Sequence, residues 1–214
     1  MHTLDMILKN MANAAASSPL AAKAATLMGA SKGQSGEVVT LFIAKGLTHF
    51  GENRVQEAQE KWPALKKAYP DITLHLIGPL QTNKVEGALE IFDVIQTLDR
   101  KKLIDEIAKH PLAKSKRYFV QVNIGEEEQK SGISPADTKA LVNYAREKGL
   151  NVVGLMCVPP AEQMPAPHFA LLKKLADENG LKELSMGMSG DFETAIRMGS
   201  TCVRIGTALF GERT

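Results

Sequence analysis

Lys32 stands in the string GASKG, among small residues that offer its stem no helix surface to lie along. Burial and neighbouring positive charge would lower such an amine from its ordinary pKa of about 10.4, giving a neutral nucleophile for an aldehyde and hence a Schiff base. Taken alone, a loop lysine reads as a solvated charge. Two later segments supply the context that reverses this reading. MGMSGDFETAI sets Ser189 at a strand end where a helix opens, and VRIGTALFG sets Gly206 and Thr207 at a second glycine-bearing strand end. A hydroxyl, outward N–H groups and glycines that let the backbone approach closely form a cup for a phosphate dianion. Arg204 lies two residues before Gly206, so both share one side of the strand. A buried guanidinium there needs an acceptor, either an ion-pair partner or the ring nitrogen of a cofactor. His49 and His75 have no third ligand at metal spacing, which argues against a metal site. Lys84 and Lys130 read as surface or loop charges, and Glu126, Glu127, Glu128 and KHPLAKSKR as solvated loops.

The elements that must position these residues alternate between β-like and helical runs along the whole chain. Strand candidates begin at Thr26, His49, Thr73, Asp93, Arg117, Leu150, Glu183 and Cys202, the last extending through CVRIGTALFG. Eight such units predict an α/β fold, a (β/α)8 TIM-type barrel, with an open doubly wound sheet as the alternative. Reactive side chains in a barrel come from the C-terminal ends of strands, so Lys32, Asn53, Gly78, Pro79, Asn123 and Ser189 should converge on one mouth. Ser134 is the expected N-cap of a helix with Pro135 in its first turn and Gly149 as its stop. The helix after Glu52 should kink or restart at Pro63, and another built on Leu172, Leu175 and Ala176 should end near Gly180. Little chain follows the last strand, so the N-terminal Ala-rich helix is expected to cover that part of the barrel.

Residues 1–214 read as one domain, because no Gly/Ser- or Pro-rich linker divides them. Lys plus Arg outnumber Asp plus Glu by only 26 to 24, too little for a nucleic-acid or anionic-membrane partner. No apolar run reaches the roughly 18 residues of a membrane span, and Pro19 with its polar neighbours interrupts any leader-like pattern. Cys157 and Cys202 lie in apolar strand-like runs without C-x-x-C spacing, as expected of buried reduced thiols in a cytoplasmic protein.

HFGENRVQE, HLIGPLQTNK, VNIGEEEQKSGI, GLMCVPP, LSMGMSGDFETAI and VRIGTALFG, in this order and spacing, resemble the pyridoxal phosphate homeostasis proteins of the YggS/PROSC type. The likeness runs from Lys32 to Gly211. It implies the fold of the alanine racemase N-terminal domain without that enzyme's second domain, and pyridoxal 5′-phosphate (PLP) as cofactor. By resemblance Lys32 is the Schiff-base lysine, and Ser189 with Gly206 and Thr207 is the phosphate cup. Asn53 lies near the cofactor and Arg204 faces the pyridine nitrogen. The usual lysine-loop pattern SKTKP reads SKGQS here, without the second lysine and the proline, and Leu74 replaces a tryptophan.

An arginine beside the pyridine nitrogen disfavours its protonation and weakens the cofactor as an electron sink. No tyrosine acid is expected opposite Lys32, since Tyr69 and Tyr144 fall on helices and Tyr118 at the start of a strand. The expectation is a monomeric, non-catalytic carrier that holds and releases PLP in vitamin B6 homeostasis, with PLP-dependent apoenzymes as recipients. A PLP-dependent amino-acid racemase is the alternative, and a class I aldolase or sugar-phosphate enzyme using Lys32 with the same cup is a further one.

Overall fold

The structure is a computed structural model that describes residues 3–20 and 24–211. Eight parallel strands, β1 (Thr26–Ala30), β2 (His49–Glu52), β3 (Thr73–Leu76), β4 (Val94–Leu98), β5 (Arg117–Val122), β6 (Asn151–Cys157), β7 (Glu183–Ser185) and β8 (Cys202–Ile205), form a closed barrel in chain order. Closure is carried by β1, whose Met28 lies opposite His49 of β2 on one side and Arg204 of β8 on the other. An open sheet is thereby excluded. The helices are α1 (Leu4–Ala16), α2 (Gly36–Ile43), α3 (Val55–Ala68), α4 (Val85–Ile91), α5 (Lys101–Ala108), α6 (Thr138–Glu147), α7 (Pro165–Glu178), α8 (Phe192–Arg197) and α9 (Thr207–Phe210).

Strand residues alternate between two environments, as the period of two requires. Leu27, Phe50, Leu74, Leu76, Ile95 and Val203 belong to the main core. A separate small cluster of Val94, Phe119 and Met156 accompanies buried His75, Gln96, Ser185 and Arg204. A barrel of this class ordinarily fills its interior with layers of branched aliphatics. This one carries a polar column instead.

The barrel seam is covered as anticipated. α1 buries Leu4, Ile7, Met11 and Ala14, and it is tied to α8 by the Ser18 hydroxyl donating to the Arg197 carbonyl at 2.9 Å. Phe210 of α9 meets Phe42 of α2 edge to face, with ring centroids 4.7 Å apart. The part of the expected N-terminal helix and loop at residues 1–2 and 21–23 lies outside the described residues.

Three local expectations need correction. The last strand stops at Ile205, and TALF forms α9, because Gly206 breaks the extended run and Ala and Leu favour helix once the chain leaves the barrel. α3 runs through Pro63 without restarting. Both Pro63 and Gln59, whose carbonyl loses its N–H partner, are exposed, so that carbonyl is open to solvent. α6 begins at Thr138 rather than beside Ser134. Ser134 opens the preceding turn by accepting the Asp137 N–H at 3.2 Å and donating to Asp137 Oδ2 at 2.8 Å. No helix among the described residues is long and apolar enough to cross a membrane.

Candidate functional site

The C-terminal ends of the strands define an upper mouth, and its two sides are held differently. Lys32 lies just past β1, half-buried, at even spacing from Met28 and Ala30. Its loop is lashed to α3. The Lys61 ammonium donates to the Ser31 and Gln34 carbonyls, both at 2.9 Å, and pairs with Glu52 at 2.8 Å. Glu52 is fully buried and also accepts from the Ser31 hydroxyl at 2.7 Å and the Trp62 indole N–H at 3.0 Å. The Gly33 N–H donates to Glu57 at 2.5 Å. SKGQS, without the second lysine and proline, is therefore positioned by a cation from another element. Sequence reasoning missed Lys61, Glu52 and Trp62, because a network closed between a strand end and a helix leaves no local pattern.

Asn53 follows β2 and is half-buried beside a cavity of about 640 Å³ that Pro79, Gln81 and Lys84 also line. Gly78 makes this packing possible, since a Cβ there would sit 2.2 Å from the Asn53 carbonyl oxygen. Asn123, expected at the mouth, instead spends its amide on its own loop, donating to the Glu127 carbonyl at 2.8 Å and accepting the Glu127 N–H at 3.2 Å. Glu127 is not merely solvated either, for it pairs with Lys130 at 2.6 Å. Lys130 also reaches the Pro159 carbonyl at 3.3 Å.

On the opposite side, the turn after β7 passes through Gly187 at φ +95°, a left-handed conformation that favours glycine. The Ser189 hydroxyl accepts the Ala208 N–H at 3.4 Å, which brings it against Gly206 and Thr207 at the start of α9. Neither the Gly206 nor the Thr207 N–H donates to a backbone acceptor among the described residues. Donors left this way in a glycine turn suit phosphate oxygens.

Arg204 is buried inside the barrel beneath this mouth. Its guanidinium donates to the Ser185 hydroxyl and to the Cys157 carbonyl, both at 2.8 Å. Both acceptors are neutral, so the structural ion pair considered above is not formed among the described residues. Burial pulls its pKa below the usual guanidinium value, but arginine remains cationic at neutral pH. The column continues from Ser185 to Gln96 at 2.6 Å, Gln96 to His75 at 3.1 Å and His75 to His49 at 3.0 Å. Sequence reasoning missed Ser185 and Gln96, because the partners that define the column lie on different strands. Among the described residues no group of three His, Cys, Asp or Glu side chains could hold a metal.

The three tyrosines sit away from the upper mouth. Tyr69 caps the end of α3, Tyr144 of α6 donates to Asp105 at 2.6 Å, and Tyr118 donates to the Ala113 carbonyl at 2.8 Å. Cys157 and Cys202 are buried free thiols, pushed up by burial to about 12 and about 11 respectively.

The family model for the alanine racemase N-terminal domain matches residues 3–214. A pyridoxal phosphate homeostasis protein of Aquifex aeolicus is 45% identical over 201 residues, covering 88% of this chain and 87% of that one. The chain belongs to the pyridoxal phosphate homeostasis protein family. Within that family, PipY of Synechococcus elongatus, solved with PLP bound, superposes with a TM-score of 0.78 at 31% identity, over 96% of this chain and 100% of that one. Alanine racemase from Clostridium difficile shares the fold at a TM-score of 0.71 and 16% identity, over 99% of this chain but 57% of its own. This homeostasis-family barrel thus matches only part of that enzyme's length.

Proposed function

We propose that this chain binds PLP in the upper mouth and acts in PLP homeostasis, holding the cofactor as a Schiff base on Lys32. The observation that carries the reading is a lysine just past β1 in a barrel where Ser189 meets the start of α9 and the Gly206 and Thr207 N–H groups have no backbone acceptor among the described residues, with a buried arginine beneath. The donor set fits PLP. Ser189 and the backbone at Gly206 and Thr207 would take the phosphate, Asn53 would border the ring, and Arg204 would face its nitrogen. When bound, PLP supplies an aldehyde that captures amines and a ring that withdraws electrons.

The protein's own groups favour retention over catalysis. Arg204 is a permanent donor, held by Ser185 and Cys157, and cannot act as an acid that shares its proton with the ring. A two-base racemase would need a second acid across from Lys32, and no tyrosine is placed to serve. We infer a non-catalytic monomer that delivers PLP to apoenzymes inside the cell. Sedimentation at working concentration checks the monomer.

The deciding experiment adds PLP to the purified protein, records the absorption spectrum before and after borohydride, and maps the modified peptide by mass. A yellow band that bleaches, with the phosphopyridoxyl mass on Lys32, is expected. No band, or a label scattered over surface lysines, overturns the assignment and favours a sugar-phosphate ligand in the same cup.

A further inference from the structure

The polar column does not end at the cofactor side. It runs down the barrel axis and emerges at the lower mouth, among the N-terminal ends of the strands. Its direction is fixed by elimination. Arginine has no acceptor, so Arg204 must donate to Ser185 Oγ. The Ser185 hydroxyl proton then goes to Gln96 Oε1, 2.6 Å away, which leaves the Gln96 amide N–H₂ donating to His75 Nδ1 at 3.1 Å. His75 must therefore carry its proton on Nε2 and donate it to His49 Nδ1 at 3.0 Å. His49 in turn carries its proton on Nε2. Every link from Arg204 downward is a donor, and the last N–H has no acceptor among the described residues.

That N–H belongs to a residue lining a cavity of about 350 Å³ at the lower mouth, together with His75, Gln96, Arg117, Lys182 and Glu183. The volume falls within the range of small-molecule sites, roughly 300–1,000 Å³. Two cations line it against one carboxylate, and that carboxylate is engaged by Arg117 in a short ion pair. Lys182 is exposed at the rim. Burial and the nearby Arg117 charge both hold His49 below its ordinary pKa, and His75 is held further down by burial, His49 and Arg117. The imidazoles are accordingly neutral, as the donor chain requires.

We propose that the lower mouth is a binding site for a small oxyanion, a phosphate or a short carboxylate, seated on the His49 Nε2–H between Arg117 and Lys182. This site lies at the opposite end of the barrel from Lys32 and does not depend on what the upper mouth holds. A neutral imidazole donor beside two cations matches an oxyanion's acceptor oxygens and avoids the repulsion that Glu183 would present were it unpaired.

Long-range ¹H–¹⁵N NMR of the full chain resolves both histidines and reads the site directly, with inorganic phosphate and acetate titrated separately at constant ionic strength. The expected result is Nε2-protonated tautomers for both rings and a saturable shift of His49. That shift should weaken by up to about fivefold in Lys182→Ala, an exposed position that leaves the fold intact. Response to phosphate alone assigns a phosphate ligand, and response to acetate as well assigns the broader carboxylate class. No saturable shift, an equal shift with chloride, or a proton on His49 Nδ1 overturns the proposal.

Discussion

The two sides of the upper mouth solve one problem with different materials. The β1–β2 side is held by side-chain charge brought from α3, with Lys61 and Glu52 at its centre. The β7–β8 side is held by backbone, with Gly187, the Ser189 hydroxyl and the start of α9 doing the positioning. On the proposed reading, the first arrangement places a single amine, Lys32, whose direction must be controlled. The second presents several equivalent donors, for which the path of the main chain is sufficient. Substitutions on the first side should therefore lower both stability and binding, whereas those at the cup surface should lower binding alone.

The largest effect is expected from Lys32→Ala, which should abolish the borohydride-fixed phosphopyridoxyl label. Substantial Lys32-independent labelling at one other residue would break the comparison. Lys61→Met should cost about 3–5 kcal/mol in urea unfolding, since it strands a fully buried Glu52 carboxylate. Adding Glu52→Gln should recover part of that loss, and a strictly additive double mutant would show that the pair does not act as a unit. On the other side, Gly187→Ala should cost about 2–4 kcal/mol, combining a left-handed φ with a Cβ placed 2.5 Å from the Ala195 Cβ. It tests the backbone path, which the cup relies on. Ser189→Ala, by contrast, should weaken PLP roughly tenfold through one lost charge-assisted hydrogen bond, with stability nearly unchanged by thermal melting.

The smallest effect is a pH dependence from the column between the two sides. His49 and His75 have folded pKa values below 6.5, so the unfolded chain binds more protons as pH falls beneath that value. Their contribution is fully present above about pH 6.5 and is progressively lost towards the folded pKa values. Urea midpoints should fall through this window, and His75→Gln should flatten the slope. An unchanged slope in that variant would assign the acid sensitivity elsewhere.

The barrel was readable because its strands are near-continuous apolar runs separated by helices with recognisable ends, and because eight such units suggest closure. Strand parity then led from Gly206 to Arg204. Parity does not reveal the column, because a histidine or serine in a strand carries no distinguishing pattern until its partners across the barrel are known. The role of Asn123 was hidden for a different reason. Its strand-end position was right, yet an asparagine amide can close its own loop, and here the Glu127 backbone captures it. The binding of Lys61 to Ser31 and Gln34 joins residues about thirty positions apart, beyond the reach of any local motif.

Because Lys61 belongs to α3, the stiffness of the Lys32 loop is inherited from a helix that has its own opening equilibrium. A transient unravelling of the α3 turn carrying Lys61 would release the Ser31 and Gln34 carbonyls together and loosen the Lys32 loop. The lifetime of the Lys32 loop's fixed path is then a property of α3, measurable as amide hydrogen exchange in the turn around Lys61.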